Sequence, residues 1–105
     1  MRNITFALLF SITLMGCTWV KLTPAGEKVR VLSPTEVHSC RMLGKTTVSV
    51  KAAVAGIPRD EKKVQKELEA LARNSAIDLK GDTVVPLSAA DKGQQSFSVY
   101  RCVDP

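Results

Sequence analysis

Four stretches of the chain are predicted to form β-strands, and in two of them, residues 29–31 and 42–54, apolar and polar side chains alternate. The longest stretch spans residues 42–54, where apolar residues occupy every second position of the second half. Gly44 indicates a bulge near the start of this strand. Shorter stretches occupy residues 29–31, 83–87 and 96–103. Because a glycine-containing turn separates the last two, we expect them to form a hairpin.

Between the predicted strands at residues 42–54 and 83–87, the spacing of apolar residues changes to that of a helix. Asp60 is a candidate N-cap, and from Val64 apolar or small residues recur at intervals of three and four to about residue 79. Gly81 is suited to end the helix. A right-handed crossover through this helix would join parallel neighbouring strands. The pattern predicts an α+β fold, a single small mixed β-sheet of about four strands with one amphipathic helix in the order β-β-α-β-β.

The N-terminus follows a different pattern. After Arg2, residues 4–15 are mostly apolar, but this stretch is shorter than the roughly 20 residues that a membrane-spanning helix needs. A charged start and a short apolar run are typical of a secretory signal peptide. The sequence LMGC at residues 14–17 resembles a bacterial lipobox, in which the cysteine is acylated and becomes the first residue after cleavage. An ordinary secretory signal followed by an unrelated Cys17 is the weaker interpretation, because Gly-Cys directly follows the apolar run.

These features predict three parts of the chain. Residues 1–16 form the lipoprotein signal peptide, residues 17–28 the lipidated cysteine and a short tether, and residues 29–105 a disulfide-bonded α+β domain. Palmitate-type acyl chains on Cys17 would anchor the protein, since each buried methylene contributes roughly 0.8 kcal/mol. In lipoproteins of this kind, Asp directly after the acylated cysteine favours the inner membrane. Because Thr18 occupies that position here, the resemblance implies an outer-membrane location, with the domain in the periplasm of the cell envelope.

The chain contains three cysteines. If Cys17 carries lipid, Cys40 and Cys102 remain, and in an oxidising compartment such a pair predicts a disulfide. A free reactive pair and a pair of metal ligands are the alternatives. His38 is the only histidine, and together with the two cysteines it would give three ligands where structural zinc usually has four. We therefore predict no metal and no other cofactor.

The net charge is +5, from 15 Lys and Arg against 10 Asp and Glu. Lys62, Lys63 and Lys66 give the predicted helix a basic side, although glutamates are interleaved with them. Such a side is usually a solvated surface. The functional alternative is contact with anionic lipid headgroups or lipopolysaccharide, to which surface lysines near a membrane are attracted. Nucleic acid is excluded as a partner by the predicted compartment rather than by charge.

Several segments together carry a resemblance to a known family, namely residues 25–31, 40–44, 73–76, 81–85 and 99–102. Their spacing resembles that of the YjeI-type small bacterial lipoproteins, a domain of unknown function whose fold is similar to that of the Rcs stress-sensor lipoprotein RcsF. The resemblance implies a disulfide between Cys40 and Cys102 and a compact domain of sheet and helix. Residues 80–82 depart from the family pattern. Two further differences are from the stress sensor, which has a longer tether and two disulfides where this chain has a single internal cysteine pair.

The sequence predicts a membrane-anchored periplasmic lipoprotein that is not an enzyme. No pairing of His38 with a nucleophile is apparent, so a binding or envelope-interaction module is the preferred interpretation. Its expected partners are the membrane, through Cys17, and an envelope protein, anionic lipid or lipopolysaccharide. The alternative is a thiol-redox or metal-responsive envelope stress protein that uses Cys40 and Cys102.

Overall fold

The computed structural model describes residues 20–104. The predicted signal peptide and the lipidation site at Cys17 lie outside these residues.

Six strands, one α-helix and two 3-10 helices, Gly26–Lys28 and Pro34–Glu36, form the regular structure of the described residues. The strands and the α-helix are β1 (Arg30–Val31), β2 (Arg41–Ser49), β3 (Ala53–Val54), β4 (Ile57–Pro58), α1 (Glu61–Asp78), β5 (Thr83–Pro86) and β6 (Gln94–Arg101). A four-stranded sheet has the order β1-β5-β6-β2, and β3 and β4 form a separate two-stranded hairpin. Strands β1 and β5 are parallel, whereas β6 is antiparallel to both of its neighbours, β5 and β2. The predicted α+β fold with a mixed four-stranded sheet and one helix is therefore confirmed.

The two strands that the predicted crossover would place side by side, β2 and β5, are not neighbours in the sheet. Strands β2 and β5 run in the same direction, but β6 lies between them. Gln95, Phe97, Ser98 and Val99 of β6 are all buried, which suits a strand with a partner on each side. The predicted hairpin of the last two strands is confirmed, because β5 and β6 pair in antiparallel register.

The predicted strand over residues 42–54 is too long. Strand β2 ends at Ser49, and a tight turn at Ala55 and Gly56 then folds β3 back onto β4. Both turn residues have positive φ, 53° and 81°, a conformation that glycine adopts readily. The bulge predicted at Gly44 is confirmed by a shift in the pairing of β2 with β6 between Met42 and Gly44.

The helix packs on one face of the sheet through residues spaced four apart, as the amphipathic pattern predicts. Val64, Leu68, Ala72 and Ala76 are buried along α1. They contact the apolar side chains of the sheet, and together these residues form one continuous core. The sheet and N-terminal members of this core are Val29, Val48, Val84, Phe97 and Val99.

The end of the helix depends on Lys80 as well as on the predicted Gly81. Lys80 has the left-handed conformation, with φ 64°, and its N–H donates to the carbonyl of Ile77. The Gly81 N–H donates to the carbonyl of Ala76, which completes a Schellman-type end. A Cβ atom at Gly81 would overlap Val99, so this glycine is needed for close packing on β6.

We expect Lys80→Gly and Gly81→Ala to change stability in opposite directions. Lys80→Gly should raise the free energy of unfolding by about 1 kcal/mol, because a left-handed residue with a Cβ is strained. Gly81→Ala should lower it by roughly 1–3 kcal/mol through overpacking. Urea unfolding of the two variants beside wild type measures both changes. Equal stabilities for Lys80→Gly and wild type would contradict the assignment of strain to Lys80.

Candidate functional site

Cys40 and Cys102 form a disulfide bond, as predicted. Cys40 directly precedes β2 and Cys102 directly follows β6, and the next residues inward, Arg41 and Arg101, are partners across the two strands. The two Cα atoms are 4.4 Å apart. The bond therefore joins the start of β2 to the end of β6, and we call this end of the sheet the disulfide end.

The carboxylate of Asp82 holds the chain at and just after Cys102. It accepts hydrogen bonds from the backbone N–H groups of Cys102 and Val103, at 2.8 and 2.9 Å, and from the Thr83 hydroxyl at 3.0 Å. Partial burial of Asp82 favours the neutral acid, but these donors and the nearby Arg101 guanidinium outweigh it and lower the pKa of the carboxyl. Asp82 is thus a structural anion of the disulfide end, which the sequence pattern did not identify.

Asp82→Asn is expected to lower the free energy of unfolding at neutral pH by about 1–2 kcal/mol, because hydrogen bonds to a charged acceptor are stronger than those to a neutral one. Since folding lowers the pKa, the contribution of Asp82 is complete above its unfolded pKa of about 3.9 and is lost as the pH falls through the folded value. The difference between wild type and variant should therefore shrink below about pH 4. Urea unfolding at several pH values tests this, and a difference that is independent of pH would contradict it.

An open groove of about 620 Å³ lies at the disulfide end. We call it the disulfide-end groove. Its wall contains three basic side chains and only one carboxylate, that of Asp104. Arg101 is held in place because its guanidinium donates to the carbonyls of Val103 and Lys80, at 2.9 and 3.1 Å. The lining side chains are Leu43, Ile77 and Leu79 together with Arg41, Lys80 and Arg101.

The opposite end of the domain has a second open groove, of about 530 Å³, which we call the distal groove. It lies between the start of α1, the β3–β4 hairpin and the turn before β6. Its lining is mostly small and apolar, with two lysines at its rim. The main contributors are Ala52, Pro58, Ala89, Ala90, Lys62 and Lys92.

The three lysines predicted to contact an anionic surface are exposed on the first half of α1. Lys62 lines the distal groove, and Lys63 and Lys66 follow along the helix. Glu67 is bonded to Arg59 through two contacts of 2.9 and 2.7 Å. This bidentate bond, opposed by desolvation of the carboxyl, lowers the pKa of Glu67 and keeps a negative charge close to the lysines. The contact with an anionic surface stays a prediction.

Two adjacent residues on the second half of α1 bind the N-terminal segment. Arg73 donates to the carbonyls of Val29 and Glu27, at 2.8 and 3.0 Å. The Asn74 side chain donates to the Lys21 carbonyl at 3.0 Å and accepts from the Thr23 N–H at 2.9 Å. Most of the region that the sequence assigns to the tether therefore lies against the helix. Nothing in the local pattern indicates these contacts, because they join residues 44 to 53 positions apart.

His38 is exposed on the turn that leads to Cys40. Within residues 20–104, no three His, Cys, Asp or Glu side chains lie close enough together to hold a metal ion. The same part of the chain contains no helix that is both long enough and apolar enough to cross a bilayer.

Comparison with known proteins identifies one family. Residues 20–102 match the family described as Domain of unknown function (DUF4156). Comparisons with curated proteins and with solved structures give no match. The matched segment contains Cys40, Cys102 and every strand and helix described above. The chain therefore belongs to the DUF4156 family.

Proposed function

We propose that this protein is a lipoprotein anchored through acylated Cys17 to the outer membrane, with its domain in the periplasm. The observation that carries the proposal is the bond between Cys40 and Cys102, which leaves Cys17 as the only cysteine available for acylation. Disulfides persist mainly in oxidising compartments, which agrees with a secretory signal ending in the lipobox-like LMGC.

The domain acts, in this proposal, as a non-enzymatic binding module of the envelope. Two features of the described residues support this. His38 lies on an exposed turn, and the carboxylates of Asp82 and Glu67 bind backbone N–H groups and a guanidinium of the protein itself. The surface instead offers two open grooves with basic rims, which suit an anionic lipid, lipopolysaccharide or an envelope protein.

We also propose that the family relationship extends to the YjeI-type lipoproteins and to the fold of the stress sensor RcsF. Residues 40–44 and 99–102, two of the segments that carry this resemblance, lie side by side at the disulfide end. The single disulfide and the N-terminal segment bound to α1 do not match a long-tethered sensor with two disulfides. A sensing role is therefore not included in the proposal.

Metabolic labelling with an alkyne fatty acid tests the anchor. Wild-type protein should carry the label and fractionate with the outer membrane, whereas Cys17→Ser should be unlabelled. Met15→Leu, which keeps an aliphatic residue in the apolar run, is the matched control and should stay labelled. Thr18→Asp should keep the label but move to the inner membrane. Unlabelled wild type, or label retained in Cys17→Ser, would contradict the proposal.

A further inference from the structure

The contacts of Asn74 determine where the N-terminal segment joins the domain. Asn74 lies about one turn before the end of α1 and binds the backbone of Lys21 and Thr23. Arg73 binds the next part of the segment through the Glu27 and Val29 carbonyls. The segment is therefore fixed to the domain from Lys21 onward, and it joins the domain beside the last turn of the helix.

The chain between the proposed lipid and this junction is very short. Cys17 and Lys21 are four residues apart, and a fully extended chain spans at most about 14 Å over that distance. If Cys17 is acylated, as the proposed function requires, the last turn of α1 must lie close to the bilayer surface. The start of α1 is farther from this junction, since Lys62 lies twelve residues before Asn74, or roughly 18 Å along the helix axis.

The part of the domain nearest this junction is the disulfide end. Ile77 follows Asn74 by three residues, so the two lie on the same side of α1, and Ile77 lines the disulfide-end groove. The groove is lined by three basic side chains, Arg41, Lys80 and Arg101, and by the carboxylate of Asp104. Arg101 also lies 4.0 Å from the Asp82 carboxylate, so Arg41 and Lys80 supply the excess positive charge. The basic side chains of the groove thus lie on the part of the domain that the anchor would hold against the membrane.

Large apolar side chains are also exposed at the disulfide end. Met42 and Val103, which flank the disulfide in β2 and after β6, are 47% and 58% exposed, and Ile77 and Leu79 are 37% and 38% exposed. Apolar side chains beside cationic ones suit a bilayer interface, because the apolar groups enter the headgroup region while the cations meet the phosphates.

We propose that the disulfide end lies on the bilayer surface and that Arg41, Lys80 and Arg101 bind anionic lipid headgroups at the disulfide-end groove. The β3–β4 hairpin and the distal groove then point away from the membrane. This orientation rests on the proposed acylation of Cys17. It assigns the membrane contact to the end of α1 rather than to Lys62, Lys63 and Lys66 at its start.

Tryptophan quenching in vesicles tests this orientation. Full-length acylated protein carrying Trp19→Phe is reconstituted into phosphatidylethanolamine vesicles containing brominated phosphatidylglycerol. Leu79→Trp reports on the disulfide end, and Ile57→Trp reports on the hairpin. We expect the bromine to quench Leu79→Trp at least about threefold more strongly, since interfacial apolar groups lie near the acyl chains. Val103→Trp gives the same reading if Leu79→Trp does not fold.

Charge variants identify the basic residues responsible. Arg41→Gln combined with Lys80→Gln should weaken the quenching of Leu79→Trp in anionic vesicles by about half or more. Lys62→Gln combined with Lys66→Gln removes the same charge from the start of α1 and should leave the quenching unchanged. Vesicles of brominated phosphatidylcholine, which lack net charge but keep the quencher, should reproduce the weaker quenching seen with the first pair.

Three results would overturn the orientation. They are equal or stronger quenching of Ile57→Trp, loss of quenching only with the Lys62 and Lys66 pair, and strong vesicle flotation without quenching at Leu79→Trp. The last result would identify the disulfide-end groove as a site for a protein partner. Failure of the acylated protein to float with any vesicle would instead contradict the anchor itself, so flotation separates the two failures.

Discussion

Replacing Cys40 by serine is expected to lower the free energy of unfolding by about 4 kcal/mol. The disulfide joins residues 62 positions apart, and opening it restores the conformational entropy of a loop that contains nearly all of the sheet and the helix. Small domains have total stabilities of roughly 5–15 kcal/mol. The variant should therefore melt about 15 °C or more below wild type.

Urea unfolding of wild type and Cys40→Ser measures this loss. The double variant Cys40→Ser with Cys102→Ser is the control, because it removes the same bond without leaving a thiol that can pair with another chain. Its stability should match that of the single variant and that of reduced wild type. A loss below about 1 kcal/mol would show that the rest of the core maintains the fold without the bond.

Phe97→Ala is expected to have a similarly large effect. Phe97 is the largest of the fully buried side chains, and it lies in β6 between Thr46 of β2 and Pro86 of β5. Its removal leaves a cavity between the sheet and α1, so the free energy of unfolding should fall by about 3–5 kcal/mol.

Leu87→Ala is a matched control for this change, since Leu87 follows β5 but is 49% exposed. It should alter the free energy of unfolding by about 0.5 kcal/mol or less. Phe97→Leu should fall between the two because it keeps most of the buried apolar volume. Similar losses of unfolding free energy for Phe97→Ala and Leu87→Ala would contradict the placement of the core between β6 and α1.

The fold was predictable where one stretch of sequence determines the structure. The spacing of Val64, Leu68 and Ala72 belongs to one helix, and the final hairpin depends on a local turn. The end of β2 at Ser49 was not predictable, because apolar residues continue at every second position beyond it. Only the pairing of β3 with β4, across a turn with positive φ, shows that these residues leave the sheet.

The same distinction explains which parts of the candidate site the sequence revealed. Lys62, Lys63 and Lys66 are visible as a group because they are close together on one helix. The disulfide-end groove draws its basic residues from β2, β6 and the chain after α1, so they come together only in the folded sheet. The binding of residues 21–29 by Arg73 and Asn74 likewise depends on tertiary contacts and has no local pattern.

The intact mass of the membrane-extracted protein, alkylated with and without prior reduction, tests the acylation of Cys17 and the Cys40–Cys102 bond in one measurement. We expect a chain that begins at Cys17, carries acyl groups, and gains two alkyl groups only after reduction. An unacylated chain would contradict the membrane anchor and, with it, the orientation of the disulfide end. Alkylation without reduction would contradict the structural bond and would make Cys40 and Cys102 candidates for redox or metal-responsive chemistry.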